Sequence, residues 1–104
     1  MPTLIFKGIK QEELQVLAKP MVDKLSEVIQ CRKEILTMQW QPAVFFDAEG
    51  QIVSKPYVEV HWFVRPQEMQ DQTAKTIVEM VKTLGYEKVK VNFTIMDRNG
   101  YYDL

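Results

Sequence analysis

The chain has 104 residues, 13 basic and 14 acidic side chains, and a formal net charge of -1. That length suits one domain with a single core, and so balanced a charge supplies no field for nucleic acid or an anionic membrane. No apolar run nears the 18 or so residues of a membrane-spanning helix and no charged-then-apolar leader opens the chain, so the expectation is a soluble cytoplasmic protein.

The first element is the strand-like run from Pro2 to Ile9, closed by Gly8 and Lys10. Pro2 stands directly behind Met1, and aminopeptidases generally remove Met before so small a residue. The mature chain is then expected to begin with a secondary amine, and burial of that amine lowers its pKa toward the range where a general base works well. Retained Met1 would turn the same nitrogen into a tertiary amide with no basicity. From Gln11 to Gln30, Leu14, Leu17, Ala18, Met21, Leu25 and Val28 recur at helical spacing, and Pro20 is expected to kink that helix. Thr37 to Gln41 reads as a second strand stopped by Pro42. Ala43 to Phe46 and Gln51 to Ser54 flank Asp47-Ala48-Glu49-Gly50 as a small hairpin.

Tyr57 to Val64 alternates Val58, Val60, Trp62 and Val64 with Tyr57, Glu59, His61 and Phe63, which predicts a half-buried strand. After Arg65, Pro66 suits the first turn of a helix running to Leu84, ended by Gly85. Its inward positions are Met69, Ile77, Met80, Val81 and Leu84. Lys88 to Met96 is the last strand, and Asp97 to Leu104 a short tail. The two halves superpose: Ile9-Lys10-Gln11 with Glu13 matches Val64-Arg65-Pro66 with Glu68, and Ala18 to Asp23 matches Ala74 to Glu79 after a one-residue slip. The expectation is two β-α-β units, pseudo-repeats 2–42 and 57–96, each with parallel strands. Cys31 and His61 are the sole residues of their kinds, which excludes an internal disulfide and a cysteine-based zinc site; no metal is expected.

A proline-initiated strand, Pro42 and Pro56 as punctuation, His61 in the third strand and Asn92 within Lys88-Val89-Lys90-Val91-Asn92-Phe93 together resemble the tautomerase superfamily, along nearly the whole chain. The resemblance implies an α+β fold of two β-α-β units about a pseudo-twofold axis. It also implies a four-stranded mixed sheet with two helices on one face, a small hairpin, and a homotrimer. Strands apolar on both sides, as Leu4, Ile5, Phe6 and Ile9 suggest, leave the second sheet face in want of a partner.

The chemistry implied is keto-enol isomerisation of small carboxylic acids without a cofactor, with Pro2 as base and a cation holding the substrate carboxylate. Arg65 ends the third strand and Lys10 the first at the pseudo-equivalent place; the planar fork of an arginine suits a carboxylate. The lysine that the resemblance places between first helix and second strand falls on Cys31, and Lys33 or Arg32 takes that role only with a shifted loop. Asn92 matches an asparagine of the last strand, whereas a tyrosine expected two residues earlier is Lys90. Phe63 and Trp62 are candidates for the apolar lining, with Tyr101 or Tyr102 contributed by a neighbouring subunit. Two other readings stay open: a non-catalytic trimeric binding or regulatory protein, and a dehalogenase or decarboxylase in which the proline activates water.

Overall fold

Leu4 and Phe6 alternate with Thr3, Ile5 and Lys7 along the first strand, and that alternation decides which side of the sheet the helices cover. The structure, a computed structural model, describes residues 2–104; the expected loss of Met1 falls outside them. In chain order it contains β1 (Thr3–Lys7), α1 (Gln11–Ile29), β2 (Thr37–Trp40), β3 (Phe45–Phe46), β4 (Ile52–Val53), β5 (Tyr57–Trp62), α2 (Gln67–Lys82) and β6 (Lys90–Ile95). Short 3-10 turns occupy Lys33–Ile35 and Arg98–Gly100. The main sheet has the order β2-β1-β5-β6, with β1-β2 and β5-β6 parallel and β1-β5 antiparallel. β3 and β4 form a separate hairpin. This is the expected α+β architecture.

One core joins the layers. Leu4 and Phe6 of β1 and Val58, Val60 and Trp62 of β5 pack with Leu14, Leu17, Met21, Leu25 and Ile29 of α1 and Ile77 and Val81 of α2. Each such side chain taken from water contributes about 1.5 to 3 kcal/mol before the cost of ordering it. α1 runs unbroken through Pro20, which lies on the solvent side. Val16, whose carbonyl loses its donor there, is 75% exposed, so water can satisfy it. The helix stops at Gln30, in the left-handed region at φ 59, where the Cys31 amide returns to the Ser26 carbonyl. In the hairpin, the Asp47 carboxylate accepts from the Glu49 and Gln51 amides, which fixes the turn read from Asp47 to Gly50.

Three expectations shift at element ends. β5 stops at Trp62, so the alternation does not extend to Phe63 and Val64: Phe63 is buried and Val64 is 74% exposed. Pro66 precedes α2 as its N-cap, and α2 ends at Lys82 with Thr73 and Thr76 among its buried residues. Their hydroxyls donate to the Met69 and Gln72 carbonyls, which is how polar side chains fit a buried helix face. The third shift concerns the uncovered sheet face. It carries Thr3, Ile5, Lys7, Gln39, Tyr57, Glu59, His61, Asn92 and Thr94, so it is mainly polar, and Ile9 belongs to the core. At its centre Lys7 Nζ lies 2.5 Å from Glu59 Oε2, which holds the Glu59 carboxyl below its usual range, and His61 Nε2 approaches Glu59 Oε1 at 3.5 Å.

Tyr86 ties the loop after α2 to the start of α1. Its hydroxyl donates to Glu13 Oε1 at 2.6 Å, the oxygen that also accepts the Lys10 amide at 2.8 Å. Burial, then the Glu13 carboxylate, push the phenol from 10.0 up to about 12. Because the folded value lies above the unfolded one, Tyr86 contributes stability fully below pH 10 that is lost as pH rises toward 12. Denaturant titrations across pH 9 to 12 are expected to show that decline in the native chain and a flatter one in Tyr86→Phe.

Candidate active site

Pro2 lies at the amino-terminal end of β1 with its side chain fully buried, and its carbonyl accepts the Thr37 amide at 3.1 Å. The Thr3–His61 pairing, continued by one residue, sets Pro2 against Trp62 on the helix-covered side. Trp62 is fully buried, its ring centroid 5.0 Å from that of Phe93. Over the Trp62 ring sits the Arg65 guanidinium, 4.9 Å from the centroid, while Arg65 donates to the Phe63 carbonyl at 2.9 Å. A cation on an indole face retains its charge and its remaining donors. Sheet register therefore brings Pro2 and Arg65 to one end of the fold through a single intervening aromatic.

Cys31 belongs to the same end. Burial raises its thiol, and the Arg65 charge opposes that rise. The position at which the resemblance expects a lysine is thus held by a residue within the field of Arg65, although a neutral one. Phe63 completes the cluster: the Arg98 guanidinium stands 4.1 Å over its ring, and Tyr101 meets it edge-on at 5.2 Å. Arg98 was invisible in the sequence because its 3-10 turn is held locally, by the Asp97 carboxylate accepting the Asn99 amide, while its partner lies 35 positions earlier. Trp62 Nε1 is a second addition. It is buried without a hydrogen-bond partner among the described residues, a condition that costs about 1 to 3 kcal/mol.

The other candidates lie elsewhere. Lys33 is ion-paired with Asp23 at 2.8 Å, raising the ammonium and lowering the carboxyl. Arg32 precedes that turn, exposed. Lys10 caps α1 at the opposite end of β1. Asn92 lies on the uncovered face, level with Glu59, and Lys90 begins β6 beside Tyr57, again at the end away from Pro2. Two cavities occupy that far end. One of about 550 Å3 is lined by residues that include Lys55, Tyr86, Lys88 and Lys90, and one of about 200 Å3 by residues that include Gly8, Lys10 and Tyr86. No helix among the described residues is long and apolar enough to cross a membrane.

Residues 1–103 match the family described as a domain of unknown function, DUF1904. A crystal structure of a DUF1904 domain from Sebaldella termitidis superposes with a TM-score of 0.91 at 25% identity, covering 99% of this chain and 95% of that chain. A macrophage migration inhibitory factor-like protein from Entamoeba histolytica gives 0.79 at 22% identity, over 98% and 95%. A fused 4-OT wild-type asymmetric trimer gives 0.80 at 12% identity, over 97% and 91%. A comparison with curated proteins found no match. The chain belongs to the DUF1904 family, and it shares its fold with the macrophage migration inhibitory factor-like protein and with the fused 4-OT protein.

Proposed function

We propose that the chain, once Met1 is removed, is a tautomerase acting on small keto and enol carboxylic acids. The reading rests on one observation: the buried Pro2 shares its end of the sheet with Arg65, across Trp62. In that setting burial and a nearby positive charge both disfavour the cationic amine. The neutral amine takes a proton from the carbon alpha to the carbonyl, the electrons move onto the carbonyl oxygen, and the proton returns at the other terminus of the enol system. Arg65 holds the substrate carboxylate through paired donors. Arg98 and Phe63 bound the same region, and the unpartnered indole N–H of Trp62 is a donor available to an oxygen that carries developing charge.

A homotrimer joined through the uncovered face is part of this reading. Two helices cover only one side of the sheet, and the fused 4-OT neighbour is a trimer. Asn92, on that face, would then orient a polar group of the substrate from an adjacent subunit. A non-catalytic trimeric binding protein is the second reading, favoured by the position of both cavities at the end of the protomer away from Pro2.

The test is a screen of untagged protein, confirmed by intact mass to lack Met1, against enolisable keto acids and halogenated unsaturated acids. Ketonisation is expected in the first group. Arg65→Ala is expected to lower kcat/KM for carboxylate substrates by about 10- to 100-fold, the loss of one charge-assisted hydrogen-bonding group. No turnover of any keto acid by the processed chain would give the binding-protein reading its place.

A further inference from the structure

Arg65 and Arg98 are held alike at the Pro2 end, and neither by a carboxylate. Among the described residues, the side chains paired with carboxylates are Lys7, Lys19, Lys33 and His61. Arg65 lies over the Trp62 ring at 4.9 Å and Arg98 over the Phe63 ring at 4.1 Å, so two consecutive aromatic residues carry one guanidinium each. The two cations are also linked through the backbone. Arg65 Nη1 donates to the carbonyl of Phe63, the residue whose ring Arg98 covers.

That carbonyl lies beyond the sheet. β5 ends at Trp62, and its ladder with β6 closes where the Met96 amide donates to the Trp62 carbonyl at 2.8 Å. Past that bond the ladder no longer places the chain, and side chains must do so. Phe63 is buried with its ring gripped twice, by Arg98 on its face and by Tyr101 edge-on at 5.2 Å. Arg98 is itself set by its turn, in which the Asp97 carboxylate accepts the Asn99 amide at 2.9 Å. Support thus runs from the turn to the Phe63 ring, and from the Phe63 carbonyl to Arg65. A planar guanidinium with one donor so committed has its remaining donors aimed.

We propose that Arg98 is a positioning residue: by stacking on Phe63 it fixes the carbonyl that sets the Arg65 guanidinium, and so aligns the group that holds the substrate carboxylate. The inference rests on the reading of Arg65 in the proposed reaction, and it gives Arg98 no substrate contact of its own. Arg65 holds the carboxylate in ground and transition state alike, so its misalignment raises KM and leaves kcat in place. An exposed stacked cation contributes a factor of about 2 to 5, which bounds the effect.

The first measurement needs no substrate. In nitrogen-15-labelled protein the Arg65 Nε–H signal, identified by its loss in Arg65→Lys, is expected to be displaced by the Trp62 ring beneath it. Arg98→Met, which keeps an apolar stem on Phe63 and removes the charge, is expected to return that signal toward the position of a free arginine. Arg98→Lys is expected to retain it, and Lys75→Met, on the exposed side of α2, to leave it unmoved. The second measurement is kinetic. For a keto acid, Arg98→Met is expected to raise KM about 2- to 5-fold with kcat unchanged, and to add nothing once Arg65 is alanine. An Arg65 signal unmoved in Arg98→Met, an equal shift in Lys75→Met, or a full Arg98 effect persisting in the Arg65→Ala background would overturn the proposal. Absence of turnover by the processed chain removes the catalytic reading alone, since the Arg65 signal decides the positioning role without substrate.

Discussion

Replacing Pro2 with alanine is expected to lower turnover of a keto acid by about 10²- to 10⁴-fold, the range that a positioned base contributes. Met1 is removed before alanine as well, so the variant keeps a terminal amine but loses the ring and the more basic secondary nitrogen. A second protein, with native Pro2 and Met1 blocked from removal, carries an amide at that position and is expected to fall to the uncatalysed level. The pair separates basicity from packing: Pro2 is fully buried, so alanine also leaves a small void, whereas the blocked chain keeps the ring. Circular dichroism melts provide the fold check. Turnover unchanged in the blocked chain would remove the proline nitrogen from the mechanism.

Gly8→Ala is expected to be the most damaging single methyl group in the fold. At φ 79 the position lies in the left-handed region, which a side chain occupies at a cost of about 1 to 2 kcal/mol. The new Cβ would also sit 2.7 Å from the Lys55 carbonyl carbon and 3.1 Å from Phe45 Cε2, and its nearest neighbour is backbone that cannot swing aside. Overpacking of that kind typically adds about 1 to 3 kcal/mol. A drop in Tm of at least 10 °C is expected for a domain of this size. The comparison is Gly50→Ala, which shares φ 79 but meets nothing within 4 Å, so the difference between the two melts isolates the clash.

Much of the architecture was legible because periodicity is a direct readout of burial. Leu14, Leu17, Met21 and Leu25 announce one face of α1, and Val58, Val60 and Trp62 one face of β5, since those spacings are what a core requires. The hairpin was legible in Asp47 to Gly50 because its turn chemistry is local. Boundaries were not: Phe63 is buried after its strand has ended, held by Arg98 and Tyr101 from the other end of the chain. The site was half legible. Pro2 and Arg65 carry their chemistry in their residue types, but their approach depends on antiparallel pairing of β1 with β5, which the periodicity of neither strand specifies. Lys33 looked free in sequence, and its pairing with Asp23 is a consequence of how the 3-10 turn folds back on α1. Lys10 and Lys90 went to the far end because a strand delivers its two termini to opposite poles of the sheet.

The ion pair between Lys7 and Glu59 has a bearing on acid tolerance. Because Lys7 holds the Glu59 carboxyl below 4.5 in the folded state, its contribution is whole above that pH and fades only as acidity passes the depressed value. On a surface free of helices, protonating Glu59 would strand an ammonium group at the middle of the sheet. A second copy docked on that surface, as the proposed trimer requires, would meet a paired ammonium and carboxylate rather than a lone ammonium for as long as Glu59 stays ionised.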